Sequence, residues 1–107
     1  MSGSGGGDFG GGYEAPVTCE RLVIVTQIAS PKAAVVSQLS VGSTLTVSTE
    51  TQSGTSVIVL FFNGQKAGGI ASAKAIELRT CIEVGTIYTA VVQTINNGQV
   101  TVRIKAQ

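Results

Sequence analysis

The sequence has no histidine at all. That excludes His-based triads, histidine general bases and nearly every catalytic zinc pattern. Charge is scarce: 12% of the 107 residues are charged, about half the ~25% usual in globular proteins. Aromatics make up 5%. No apolar run approaches the ~18 residues that span a bilayer, so no transmembrane helix is expected. The first residues show neither a basic region nor an apolar one, so a secretory signal is not expected, and cytoplasmic location is the default. Apolar residues reach 43%, enough to exclude a disordered chain outside the N-terminal segment. The length fits a single domain.

Glycine is unevenly spread. Seven of the 14 lie in the first twelve residues, where only Phe9 and Tyr13 offer anything to bury. Glycine loses the most backbone entropy on ordering, so residues 1–14 read as a flexible tail. Residues 15–107 read as the domain. They hold seven Lys and Arg against four Glu, a net of +3. This mild excess allows a polyanionic partner. Cys19 and Cys81 form no metal-binding spacing. Reduced, buried thiols are expected; a disulfide would need their Cα atoms within about 7 Å.

From Glu20 the chain reads as strands. Arg21–Ile28 is apolar and β-branched on both faces, which suits a central, covered strand. Lys32–Ser37 reads as a short strand or a turn of helix. Ser43–Thr49 alternates, with Leu45 and Val47 on one face. Glu50–Gly54 reads as a polar loop. Thr55–Phe62 is the most apolar run. Asn63-Gly64 and Asn97-Gly98 each mark a tight hairpin, since type I′ turns need positive φ at both positions. In the strand Gln65–Ala71, Gly68 and Gly69 suggest a bulge, a bend or close backbone approach. Ser72–Glu83 is the one expected helix, with Ser72 as cap, Ala75, Leu78 and Ile82 on one face, and Gly85 past its end. Thr86–Ile95 and Gln99–Lys105 complete the set. In the last, Val100, Val102 and Ile104 point inward and Arg103 and Lys105 outward. The expected fold is mainly β: a small five- to six-stranded barrel or curved two-layer sheet with one short α-helix.

Catalytic groupings are missing. Glu77 and Glu83 do not share a helix face, Glu20 and Glu50 flank unrelated strands, and no phosphate-cradling glycine motif occurs. A non-enzymatic binding module is therefore expected, with no cofactor or metal. The candidate nucleic-acid contacts are Arg103, Lys105, Lys66 and Arg21 for phosphates, with Phe62 and Tyr88 for stacking. Arg103, Lys105 and Lys66 converge if the two Asn-Gly hairpins are neighbours. The alternative is a self-associating or protein-binding structural module, because Thr, Ser, Gln and Asn dominate the wet strand faces.

The segments Leu39–Val47, Asn63–Ile70, Ala75–Leu78 and Gly85–Val91 together resemble a HIRAN domain, over residues 39–95. Such domains are six-stranded barrels that bind DNA, notably single-stranded ends. The resemblance implies a barrel and a DNA partner. The aromatic and proline of the family's turn are replaced here by Gly69 and Ala71, so no site residue carries over.

Overall fold

The computed structural model describes residues 18–107, and the expected flexible tail lies outside them. Six strands form a single antiparallel sheet: β1 (Val23–Gln27), β2 (Thr44–Gln52), β3 (Thr55–Phe62), β4 (Gln65–Ile70), β5 (Tyr88–Asn96) and β6 (Gln99–Ala106). Their order is β1-β6-β5-β2-β3-β4. A 3-10 turn, Cys19–Arg21, precedes β1. Two helices complete the fold, α1 (Ala33–Val36) and α2 (Ala75–Glu83). The undecided stretch at Lys32–Ser37 is thus one turn of helix, held by burial of Val35 and Val36. No helix of the described residues is long and apolar enough to cross a membrane.

The sheet is not closed into a barrel. One face carries most of its buried apolar residues. Leu45, Leu60, Val100, Val102 and Ile104 from three strands meet Leu22, Ile24 and Leu78 in one core. The edge strands β1 and β4 are joined only by the segment leaving β1. The Ile28 amide donates to the Val100 carbonyl (2.8 Å) on β6. Ala29 then exchanges two hydrogen bonds with Gly69 on β4 (2.8 and 2.9 Å), and the Lys32 amide donates to the Ala67 carbonyl (2.8 Å). This seam is the close approach expected at the paired glycines. A Cβ on Gly68 would lie 2.3 Å from Ile28 Cγ2 and 2.7 Å from the Ala29 oxygen. The bulge is there too: Leu60 faces Gly68 and Phe61 faces Lys66, leaving Ala67 extra.

Three tight turns carry positive φ at both central residues: Asn63-Gly64, Asn97-Gly98 and Ser53-Gly54. The third was expected to be a wider loop. Instead β2 runs on to Gln52, opposite Thr55. Serine tolerates the left-handed conformation poorly, so its turn does not announce itself as Asn-Gly does. The first strand also departs from expectation. It sits at an edge, and no layer covers its outer face, so Val23 and Val25 are 38% and 61% exposed. Helix α2 begins at Ala75, three residues after the expected cap; the Ser72 hydroxyl accepts a hydrogen bond from the Lys74 amide (3.1 Å).

The two cysteines are bonded, correcting the expectation of free thiols. Cys19 and Cys81 have Cα atoms 5.5 Å apart. The bond ties the 3-10 turn to α2, at the end of the sheet away from the two Asn-Gly turns.

Candidate binding surface

Arg103 and Lys105 lie on the outer face of β6, exposed, with the buried Val102 and Ile104 holding the opposite face. Strand pairing fixes their neighbours. Arg103 stands between Val25 of β1 and Val91 of β5; Lys105 stands between Val23 and Thr89. Arg21, exposed on the 3-10 turn, lies two residues before Val23 at the same end. The sequences of β1, β5 and β6 contain no Asp or Glu. Among the described residues the sole ion pair is elsewhere, so Arg103 and Lys105 have no carboxylate partner. The exposed valines offer apolar surface to the aliphatic stems of the two cations.

Lys66 does not join this group. It is on β4, at the far end of the strand order, and its ammonium donates to Glu50 Oε1. Both side chains are about one-third exposed, and the pair spans β3 over the buried Val59. Hydrogen bonds from Lys66 and from Gln52 (Nε2 to Oε1, 3.3 Å) hold the Glu50 carboxyl below its ordinary pKa. The two Asn-Gly turns do lie at one end of the sheet, but separate partners hold them: Gln65 accepts from Gln38 (3.2 Å) and Gln99 accepts from Gln27 (3.5 Å). Arg79 is also occupied, donating to the Ser56 carbonyl (3.0 Å).

Neither expected stacking residue presents a free ring. Tyr88 is 1% exposed, and its hydroxyl donates to the Cys19 carbonyl (2.6 Å). Burial and then the charge of Glu20 push that hydroxyl above its usual pKa. Phe62 is half-buried and packs against the core; Phe61 takes the outer face of β3 instead. Tyr88→Phe should cost about 1 kcal/mol, because it leaves a carbonyl short of its donor. Urea unfolding checks this; an unchanged midpoint would mean the hydroxyl contributes nothing to stability.

What sequence reading missed here is the apolar flank. Val23 and Val25 looked like core, and only the strand order shows them beside the cations. No family model, curated protein or solved structure matches the chain.

Proposed function

We propose that the chain is a non-enzymatic binding module that takes an extended polyanion, single-stranded nucleic acid foremost, across β1, β6 and β5. One observation carries this reading: three adjacent strands free of carboxylates present Arg103 and Lys105, unpaired, beside the exposed Val25 and Val23. The resemblance to HIRAN domains points to the same partner class. Phosphate contacts from Arg and Lys position a strand without reading its bases. With Tyr88 inside the core and Phe62 packed against it, stacking adds little, so binding is sequence-tolerant and electrostatic.

The test is a salt series. Replacing Arg103 and Lys105 together by Gln should weaken binding of an oligothymidylate and flatten the slope of log K against log salt by about 1.4, at ~0.7 per contact. An unchanged slope would remove this face from the interaction.

A second reading rests on the 61% exposure of Val25. An uncharged β-branched edge strand is suited to contact with a second copy or another protein. Light scattering after size exclusion separates the two. A monomer that shifts with oligonucleotide supports the first; a discrete oligomer indifferent to it supports the second.

Location follows the disulfide. Such bonds are rare in the cytoplasm and persist in oxidising compartments. We infer that the module meets its partner in an oxidising setting, in place of the expected cytoplasm.

A further inference from the structure

A small hollow of about 250 Å³ lies outside the seam where the segment after β1 crosses to β4. Its lining includes Ser30, Lys32, Gln52, Val59, Lys66 and Gly69. The hollow exists because of the seam's construction. The sheet has no side chain at Gly69, and the buried Val59 forms part of the floor. Ser30 turns the chain there with φ +49°.

The chemistry of the lining is one-sided. The lining residues include two lysines and no Asp or Glu. Glu50 reaches Lys66 from beyond the lining and balances one of them. Lys32 has no ion-pair partner among the described residues. Ser30 and Gln52 add polar side chains to the lining, and the Gln52 amide also donates to Glu50 Oε1 (3.3 Å). The volume corresponds to only about eight waters at ~30 Å³ each. That is too small for a drug-sized ligand, whose sites run from about 300 Å³ upward. It has room for a compact anion together with its water.

We propose that this seam hollow is a phosphate-group site, with Lys32 and Lys66 as its cations and Ser30 and Gln52 as its polar neighbours. It is separate from the Arg103–Lys105 face and does not depend on it. A phosphate has more oxygens to share between two ammonium groups and a hydroxyl than a carboxylate has. The pre-existing Lys66–Glu50 pair fixes one ammonium in place, so a bound anion has chiefly Lys32 to order.

Titrating the full chain with inorganic phosphate, against chloride at matched ionic strength, tests the site by amide NMR. Saturable shifts are expected at Ser30, Lys32 and Gly69. Lys32→Gln should weaken the apparent affinity about ten-fold, the scale of one charged hydrogen bond, while Lys74→Gln, at an exposed lysine outside both surfaces, should leave it unchanged. Lys32 is exposed, so its replacement leaves the core intact. A parallel titration with a 5′-phosphorylated dinucleotide tells a terminal phosphate from the free ion by which binds more tightly at the same residues. Shifts that never saturate, or equal losses in Lys32→Gln and Lys74→Gln, would overturn the site. The oligothymidylate salt series reads the other face, so either assignment can fail alone.

Discussion

Reducing the Cys19–Cys81 bond should lower the stability of the domain by about 4 kcal/mol, the chain-entropy value for a loop of this length. The two residues are 62 positions apart, so the bond constrains most of the unfolded chain from β1 to α2. For a domain of this size that loss corresponds to a melting temperature lower by on the order of 15–30 °C. The bond also has a local role. It fixes the turn that launches β1, whose Cys19 carbonyl accepts from the Tyr88 hydroxyl inside the core. Thermal melts with and without dithiothreitol read the effect, and Cys81→Ser should match the reduced protein. A shift of only a degree or two would show that the bond closes nothing the core does not already hold. A large shift would also mean that the domain is at its full stability only where the bond persists, in keeping with the oxidising setting inferred above.

The second large effect belongs to Gly68. Gly68→Ala should cost about 2–3 kcal/mol, toward the upper end for overpacking. Its added methyl would meet Ile28 Cγ2 at 2.3 Å and the Ala29 carbonyl at 2.7 Å. The carbonyl cannot withdraw without breaking the Ala29–Gly69 hydrogen bonds that join the sheet's two edges. Gly69→Ala is the matched control. Its Cβ meets only the Ile58 carbonyl, at 3.2 Å, so its loss should stay below about 1 kcal/mol. Urea unfolding of both variants gives the contrast. Equal losses would mean that the seam is not held by close approach at Gly68.

Much of the fold was legible because the local signals agree with one another. The alternation of Val100, Val102 and Ile104 with Arg103 and Lys105 set the faces of β6 correctly. Asn63-Gly64 and Asn97-Gly98 marked two hairpins, and Gly68 marked the bulge. What failed depended on contacts distant in sequence. Val-Ile-Val at 23–25 reads the same whether it is covered on one face or two. Only the strand order, which places β1 beside β6 and no layer above, decides that. The pairing of Cys19 with Cys81 needs the 3-10 turn and α2 brought together across four intervening strands. Nothing in their spacing encodes that.

The proposed binding surface was legible in half. Arg103 and Lys105 were identified by strand alternation alone. Lys66 was grouped with them because its strand and theirs each leave an Asn-Gly turn, yet turn chemistry sets neither strand order nor partner, and Glu50 claims its ammonium. Tyr88 and Phe62 were chosen because aromatics are few. A hydroxyl satisfied at the Cys19 carbonyl and a ring packed on the core cannot be foreseen from composition.

The most direct measurement is an amide-shift map of the full, oxidised chain titrated with a short oligothymidylate at low salt. The expected result is a contiguous set of shifts on β1, β6 and β5 centred on Val25, Val91, Arg103 and Lys105, fading as salt rises. Shifts spread evenly over every lysine and arginine, or no shifts at all, would contradict the assignment of this face to polyanion binding.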